Sequence, residues 1–306
     1  MSTLRGAVVG ITGATGMIGR ALVAAWEREG ASVRTLSRGA SGTHRWELGS
    51  DEAPEGWVDP AFMEGLDLLI HLAGESIASG RFTAERKVSI RASRIDSMAL
   101  LLREMARLER RPRMLISASA VGIYGDRGDE ILDETDAPGE GFLAELCVDW
   151  EAEALKARSL GVRVALGRIG LVLAKEGGLL ARLRPIMRAG FGGPLGEGAQ
   201  WMSPIHLEDL VEAILFIARA ELEGPVNLTL PEPLTNREFT RVYGEVLGRP
   251  AIMRAPRWAL GLMLGKETSR ELLFSSQRVR PKALLDAGFE FRYPSVREAL
   301  SAIEAD

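Results

Sequence analysis

The first half of the chain alternates short apolar runs with longer segments in which apolar residues recur every three or four positions. The short runs predict buried strands at 7–12, 32–37, 67–73, 113–118 and 162–166. The longer segments predict helices over 17–29, 84–108 and 142–159. This alternation indicates an α/β protein with a parallel sheet covered on both faces, and right-handed crossovers make such a sheet doubly wound.

The longest helical segment is expected to bury one apolar stripe and to begin after Thr83, whose side chain can cap it. The residues assigned to that stripe are Val88, Ile95, Ala99, Leu102 and Met105. After residue 175 the pattern loosens, and further helices are expected at 207–220, 236–247 and 270–287. We therefore predict a first domain over 1–174, to which later segments can return, and a smaller C-terminal α/β substrate domain over 175–306.

A glycine-rich turn follows the first predicted strand, with glycines at Gly13, Gly16 and Gly19. In such a turn the first glycine permits the tight bend, the second lets the backbone approach a pyrophosphate, and the third lets helix and strand pack closely. The helix that follows presents unpaired N–H groups and the positive end of its dipole to the phosphates. The turn therefore predicts a Rossmann-type dinucleotide site.

The end of the second strand indicates which dinucleotide binds. An NAD site usually carries an acidic residue there for the ribose hydroxyls. This strand ends in Ser37 and Arg38 instead, and an arginine can pair with a 2′-phosphate. We expect NADP(H) in preference to NAD(H); a solvated arginine without a ligand is the alternative.

Composition excludes several other classes of protein. The net charge of −4 argues against nucleic-acid binding, and a single cysteine, Cys147, excludes an internal disulfide framework. Three separate histidines make a metal site improbable, and no metal is expected. No apolar run approaches the roughly 18–20 residues that span a bilayer. The first strand begins too early to leave room for a signal peptide. We expect a soluble, cytoplasmic protein with a small-molecule substrate, as a monomer or homodimer, with no nucleic-acid or membrane partner.

Several motifs together resemble the extended short-chain dehydrogenase/reductase superfamily, and in particular its atypical NADP-binding "epimerase family" branch. The matching segments cover almost the whole chain and are Leu72–Glu75, Ser117–Gly122, Asp149–Glu151, Gly192–Gly196 and Ser275–Val279. The resemblance implies a Rossmann fold, an NADP site and a small C-terminal domain. It does not imply a particular substrate.

The resemblance also implies which residues contact the cofactor. They begin with the glycine turn and the end of the second strand, continue after the third strand, and include one arginine of the long helix and one residue after the fifth strand. Residue by residue they are Gly13, Thr15, Gly16, Met17, Ile18, Ser37, Arg38, Leu72, Ala73, Gly74, Glu75, Arg94 and Val172. Without the resemblance, Arg94 reads equally well as a surface arginine.

The catalytic signature of the superfamily, Ser with Tyr-x-x-x-Lys, is incomplete. The residues four positions after the three tyrosines are Gly128, Leu247 and Arg297, so no such pair exists. A loop rich in Gly, Asp and Glu spans 122–141 and is called the acidic loop. Aligned on the helix that follows it, the tyrosine and lysine positions fall on Cys147 and Glu151. A negative neighbour raises the pKa of a thiol, so the usual electrostatic arrangement is inverted.

Three residues remain as catalytic candidates, each with a structural alternative. Ser119 keeps its place and can polarise a carbonyl or hydroxyl, or serve only as a strand-end hydroxyl. Tyr124 can supply a phenol but has no lysine to activate it. Cys147 can act as an acid or base, although a small, half-buried helix residue is the favoured interpretation.

On the substrate side, Gln200, Trp201 and His206 are candidate pocket residues, offering a flat stacking surface between polar groups. The alternative for His206 is a buried histidine that caps the next helix. Two functions stay open. One is an NADP(H)-dependent oxidoreductase or nucleotide-sugar epimerase-like enzyme with a non-standard acid and base, acting on a sugar nucleotide or another carbonyl or hydroxyl compound. The other is a non-catalytic NADP(H)-binding sensor, regulatory or partner-binding protein.

Overall fold

The computed structural model describes residues 4–39, 41–49 and 55–305. In chain order its strands are β1 (Val8–Thr12), β2 (Ser32–Ser37), β3 (His44–Glu47), β4 (Trp57–Val58), β5 (Leu68–His71), β6 (Met114–Ala120), β7 (Ile131–Leu132), β8 (Arg163–Ile169), β9 (Leu171–Leu173), β10 (Trp201–Met202), β11 (Pro204–His206), β12 (Gly224–Leu228), β13 (Leu234–Thr235) and β14 (Arg278–Val279).

The α-helices are α1 (Met17–Arg28), α2 (Pro60–Met63), α3 (Ala84–Ala106), α4 (Phe142–Leu155), α5 (Gly178–Arg188), α6 (Leu207–Ala220), α7 (Asn236–Leu247), α8 (Arg257–Leu264), α9 (Lys266–Ser269), α10 (Lys282–Asp286) and α11 (Val296–Ala305). Short 3₁₀ turns follow β6 and α4, and a single π-helical turn spans Arg270–Phe274.

The main sheet has the order β12-β8-β6-β5-β1-β2-β3-β4, parallel throughout except for the antiparallel pair β3–β4. From β1 the chain builds outward through β2 and β3, and then returns to build the other way through β5, β6 and β8. The strand order therefore reverses between β1 and β5. Ligands of open α/β sheets bind at the carboxyl ends of the strands at such a reversal. The predicted doubly wound, Rossmann-type α/β fold is confirmed.

Two apolar layers enclose the sheet, because successive residues of a buried strand point to opposite faces. Ile11, Ile70 and Ile116 pack with α1 and α6 on one face. Leu69 and Leu115 pack with α3 on the other. The first core cluster includes residues of β12 and α6, so the chain returns to the main sheet after the loosened region.

The C-terminal part forms its own small core of α5, α7 and α11 around Phe239, Tyr243 and Leu300. Two short pairings, β9–β11 and β10–β13, form separate two-stranded sheets, and β9 follows β8 of the main sheet directly in the chain. A third, β14 with β7, ties the C-terminal segment to the acidic loop that follows β6. The C-terminal part is thus held against the carboxyl edge of the sheet.

The predicted stripe of α3 is correct only at its C-terminal end. Leu102 and Met105 are buried as predicted, whereas Val88 is 67% exposed and Ile90 is buried instead. The buried face also carries Arg94, together with a buried serine. Because polar residues occupy core positions of this helix, the apolar pattern alone assigns the wrong residues to the first part of its buried face.

Two other predictions of secondary structure need correction. The segment between the second and third predicted strands, for which no element was predicted, contains β3 and β4, which extend the sheet. The helix expected over 270–287 is absent as a unit, since a π-helical turn, strand β14 and the short α10 replace it. Pro281 explains part of this break, because proline cannot continue a helix from within.

Candidate cofactor and active site

The glycine turn between β1 and α1 is sterically committed to glycine at two positions. Gly13 has φ +69, and a Cβ added there would lie 2.8 Å from the carbonyl of Leu72. A Cβ at Gly19 would lie 2.3 Å from the carbonyl oxygen of Gly13. Gly16 is the N-cap of α1 and supplies no side chain to pair with the first N–H groups of that helix. These N–H groups are therefore available to an anion.

Behind the turn lies a buried polar frame centred on Thr12. Its hydroxyl oxygen accepts hydrogen bonds from the backbone N–H groups of Leu72 (3.1 Å) and Ala73 (3.2 Å). The hydroxyl proton is left to bond Nδ1 of His71 at 2.8 Å, so that Nε2 carries the histidine proton and faces Ser97 Oγ at 3.1 Å. This frame fixes the segment after β5 against the glycine turn.

His71 is held in its neutral form. Burial, reinforced by the positive charge of Arg94, lowers the pKa of His71 from 6.5 to about 3. A neutral imidazole is what the frame requires, because one ring nitrogen accepts and the other donates. His71 is therefore a structural support of the turn, and it stays uncharged at neutral pH.

Arg94 lies beneath the segment after β5 and is buried, so the alternative of a surface arginine is wrong. Its Nη2 donates to the carbonyl of Glu75 at 2.9 Å, and its guanidinium lies over the ring of Trp150 at 5.2 Å. A Cβ on Gly74 would lie 2.9 Å from Arg94 Cζ. The buried Nε of Arg94 has no hydrogen-bond partner in the described part of the chain.

The other expected cofactor residues gather at the same edge. Leu36 pairs with Thr12 across β2 and β1, which brings Ser37 and Arg38 beside the turn. Arg38 is exposed and lines a cleft of about 660 Å³ that also contacts Glu75. Within the described ranges, no carboxylate lies within 4 Å of Arg38.

Glu75 and Val172 complete the expected set. The Glu75 carboxylate bonds Arg86 (2.7 Å) and Ser89 (2.5 Å). The hydrogen bond from Ser89 lowers the pKa of Glu75, so this carboxylate is charged. Val172 lies in β9, and a Cβ added at Gly178 would be 3.4 Å from its carbonyl oxygen and 3.8 Å from Met17 Cε. The turn and β9 therefore meet at the start of α5. Thr15 and Ile18 lie in the turn and the first turn of α1.

Ser119 belongs to a buried ion-pair network at the carboxyl end of β6. Its hydroxyl donates to Glu151 Oε1 at 2.7 Å, and Arg168 donates to both carboxylate oxygens at 2.9 Å each. Glu151 comes from α4 and Arg168 from β8. The negative residue at the expected lysine position is thus neutralised by an arginine from the neighbouring strand.

Tyr124 continues this network away from the cleft. Its oxygen accepts from Arg168 Nη1, and its one proton is shared between Asn227 Oδ1 and the carbonyl oxygen of Asp133, all at 2.9 Å. The side chain is fully buried. Burial raises the pKa of Tyr124 to about 12. With every hydrogen-bonding direction of the phenol occupied, the geometry supports a positioning role for Tyr124.

Cys147 lies one helical turn before Glu151 and is also buried. Burial, followed by the charge of Glu151, raises the pKa of its thiol to about 11. The sign agrees with the sequence expectation. A thiol of this kind is almost entirely protonated at neutral pH and a poor acid or base.

The tentative substrate residues do not form one wall. Gln200 donates to the carbonyl of Leu273 at 3.0 Å, in a small pocket below the C-terminal part. Trp201 lines a separate pocket, where Arg278 stacks on its ring at 4.0 Å. His206 caps α6, because its Nδ1 accepts from the N–H of Glu208 at 3.1 Å. The helix-capping interpretation of His206 is confirmed.

Sequence reasoning assigned no role to Arg168 or Asn227, although both hold the network together. A signal for Arg168 was available: it is a charged residue inside an otherwise apolar strand, and a buried arginine requires a carboxylate partner. The apolar run of β8 ends one residue beyond it, so the arginine could have been matched with Glu151. Asn227 carried no comparable signal.

A family model described as the NAD dependent epimerase/dehydratase family matches residues 9–229, which is more than half of the chain. A second, described only as a domain of unknown function, matches residues 255–303. The chain belongs to the NAD-dependent epimerase/dehydratase family. This assignment confirms the expected resemblance.

Named relatives in this epimerase family are similar along nearly their whole length. An epimerase family protein of Mycobacterium bovis is 42% identical over 96% of both chains. The chloroplastic SDR39U1 homolog of Arabidopsis thaliana is 38% identical over 96% of this chain and 86% of its own. The human epimerase family protein SDR39U1, solved with NADPH, has 27% identity and a TM-score of 0.86 over 98% and 99% of the two chains.

Proposed function

We propose that this epimerase-family protein is an NADP(H)-dependent oxidoreductase or epimerase-like enzyme with a non-standard acid and base. The observation that carries the proposal is the glycine turn locked against Leu72 by the Thr12–His71 frame. The NADPH in the human relative supports the choice of cofactor. The substrate is a small carbonyl or hydroxyl compound, a sugar nucleotide included, and we expect a cytoplasmic monomer or homodimer.

The residues present fit a dinucleotide phosphate. The two constrained glycines keep side chains out of the turn, and the first N–H groups of α1 have no side-chain partner. Arg38 offers a guanidinium beside the turn, with no described carboxylate to neutralise it. Ser37 and Arg38 would hold the 2′-phosphate, and the turn would hold the pyrophosphate.

NADP(H), when bound, supplies or accepts the hydride. The protein must then move one proton, and we assign this to Ser119 and Glu151. A substrate hydroxyl can donate to Ser119 Oγ while Ser119 passes its own proton to Glu151, and the reverse path protonates a carbonyl oxygen. The 2.7 Å hydrogen bond between them supports this relay. Arg168 holds the carboxylate in position throughout.

The cofactor is tested first, by titrating the protein with NADPH and with NADH and following nucleotide fluorescence. We expect NADPH to bind at least about tenfold more tightly, since the 2′-phosphate adds a charge-assisted pair with Arg38. Arg38→Ala should abolish the preference. Arg28→Ala, an exposed arginine on α1, is the control and should keep it. Equal affinities for NADPH and NADH would contradict the assignment.

The relay is tested by turnover in a screen of carbonyl and sugar-nucleotide compounds. Ser119→Ala should lower kcat by about 10²- to 10⁴-fold with NADPH binding intact, and Ser119→Thr should restore part of it. Retention of full kcat by Ser119→Ala would exclude Ser119 from proton transfer.

A second function, a non-catalytic NADP(H) sensor, is favoured by one observation. The groups that could replace the usual tyrosine are engaged or inert: Tyr124 is saturated with hydrogen bonds, and the pKa of Cys147 is raised. Tight NADPH binding with no turnover in the screen would favour this function over the enzyme.

A further inference from the structure

A groove of about 600 Å³ lies beside α8 and α9, against the segment that follows β5. Its apolar lining includes Trp258, Leu262 and Phe274, and α8 buries none of its residues. Trp258 and Leu262 are each 74% exposed. Its charged lining is entirely basic and consists of Arg81, Arg257, Lys266 and Arg270.

Within the described residues, three of these four cations have no carboxylate partner. In the described part of the chain, no carboxylate oxygen lies within 4 Å of Arg81, Arg257 or Lys266. The nearest carboxylate to Arg270 is Glu271 at 3.6 Å, and that group already accepts from two backbone N–H groups of α4. A chain with a net charge of −4 thus concentrates positive charge in one apolar groove.

The four cations differ in how far their contacts with the protein account for them. Arg81 donates to the carbonyls of Leu262 and Met263 through Nε and Nη2, which ends α8. Arg257 stacks on Phe274 at 4.4 Å. No protein contact in the described residues accounts for the ammonium of Lys266, and Arg270 is largely exposed. Lys266 has no carboxylate partner among the described residues, and the one carboxylate near Arg270 is 3.6 Å away and is shared with two backbone N–H groups. Both cations lie beside an apolar surface, and they are therefore suited to an anionic ligand.

Hydrogen bonds connect the elements around the groove to the segment after β5 and to α4, which carry the candidate cofactor and proton-transfer residues. Phe82, next to Arg81 in the segment after β5, donates its N–H to Thr268 of α9 at 2.8 Å. Glu271, next to Arg270, accepts from the N–H groups of Phe142 (3.1 Å) and Leu143 (2.9 Å) at the start of α4. The segment after β5 holds Leu72 to Glu75, and α4 carries Glu151.

We propose that this groove binds the non-reacting part of the substrate, and that this part is an organic anion with an apolar body. Its phosphate, sulfonate or carboxylate would pair with Lys266, Arg270 and Arg257, and its apolar body would pack on Trp258 and Leu262. The inference rests on the proposed function in one respect, since it identifies the ligand as the substrate. The groove shares no residue with the glycine turn.

The test uses two probes with nearly the same apolar body and different charge. They are 1-anilinonaphthalene-8-sulfonate, which is an anion, and neutral N-phenyl-1-naphthylamine, each titrated by fluorescence with saturating NADPH present. Lys266→Gln/Arg270→Gln should weaken the sulfonate about five- to tenfold and leave the neutral probe unchanged. Trp258→Ala should weaken both probes. The charge-conserving Lys266→Arg/Arg270→Lys should bind the sulfonate as the wild type does.

The matched control is Arg28→Gln/Arg158→Gln, which removes two exposed positive charges on other surfaces and should not change sulfonate binding. An equal loss in this control would reduce the effect to net charge and overturn the proposal. So would equal binding of the two probes by the wild type. A second measurement is sedimentation with phosphatidylglycerol–phosphatidylcholine vesicles. If Lys266→Gln/Arg270→Gln abolishes binding to the vesicles but leaves sulfonate binding unchanged, the groove binds a lipid surface and the proposal is overturned.

The outcomes separate the two proposals. If the sulfonate binds with the expected pattern but NADPH does not bind, the proposed function fails and the anion site stands. If NADPH binds and the sulfonate shows no dependence on Lys266 and Arg270, the cofactor assignment stands and this inference fails.

Discussion

Glu151 of α4 and Arg168 of β8 form a two-bonded ion pair, with both N···O distances at 2.9 Å and both side chains more than nine-tenths buried. Glu151 is the residue onto which the resemblance places the lysine of the superfamily signature. The arginine neutralises the carboxylate through Nε and Nη2, and its remaining nitrogen, Nη1, donates a hydrogen bond to the hydroxyl of Tyr124. The pair therefore organises Ser119 on one side and Tyr124 on the other.

Removing one member of this pair should be costly. We expect Glu151→Gln to lower the free energy of unfolding by about 3–5 kcal/mol, because it leaves the Arg168 guanidinium buried without its counter-charge. Urea unfolding followed by circular dichroism measures the change. Asp149→Asn, two residues earlier, breaks a half-exposed pair with Arg91 and should cost at most about 1 kcal/mol. Similar losses of unfolding free energy in the two variants would show that the buried pair stabilises the fold no more than the half-exposed pair.

The first glycine of the turn allows a matched comparison. Gly13 and Gly65 both have φ +69, but a Cβ at Gly13 would lie 2.8 Å from Leu72 and one at Gly65 would meet nothing within 4 Å. Both alanine variants should lower the free energy of unfolding by about 1–2 kcal/mol, because a side chain is strained in the left-handed backbone conformation. Only Gly13→Ala should also displace Leu72 and weaken NADPH by more than about tenfold. Isothermal calorimetry measures the affinities, and an equal affinity in both variants would contradict the steric reading of the turn.

The sheet could be predicted because its inner strands are mostly apolar and the helical segments between them repeat apolar residues every three or four positions. The turn could be predicted because Gly13 to Gly19 stand between two such elements. The polar network could not. Residues such as Arg94 and Ser97 occupy core positions for which periodicity expects apolar side chains, so the buried face of α3 is predicted only in part. Their burial depends on partners far along the chain, such as His71, that spacing does not reveal.

The expected cofactor residues lie close together in the structure and the expected substrate residues do not, for a physical reason. Gly13, Leu72 and Arg94 lie at the carboxyl edge of one parallel sheet, where topology brings distant residues together. Trp201 and Gln200 lie in an irregular segment, so their neighbours depend on how the C-terminal part packs. Adjacent residues there open onto different pockets, which no sequence pattern indicates.

His71 should make stability depend on pH in a defined window. Its pKa is about 3 in the folded chain and about 6.5 in the unfolded one, so only the unfolded state takes up the proton between these values. Stability from this group is complete above pH 6.5 and falls by about 1.4 kcal/mol per pH unit as the pH drops toward 3. His71→Gln should lose this slope between pH 6 and 4.5, measured by urea unfolding. The same slope in both proteins would assign it to other groups.

The single thiol gives the sharpest chemical test of the active site. Cys147 is buried, and its pKa is raised to about 11 by burial and by the charge of Glu151. The native protein should therefore react with 5,5′-dithiobis(2-nitrobenzoate) at pH 8 at least about a hundredfold more slowly than the urea-unfolded chain, since the thiolate is the nucleophile. The native rate should keep rising up to pH 10.

A catalytic cysteine would behave differently in two measurements. Its labelling rate would level off near neutral pH, and Cys147→Ser would lose turnover while still binding NADPH. We expect neither. Cys147→Ser should keep NADPH affinity and any turnover within about twofold, because the side chain contributes packing in α4 and no proton to the reaction. Loss of turnover in this variant, with the Ser119–Glu151 hydrogen bond undisturbed in its structure, would transfer the acid–base role from Ser119 to the thiol.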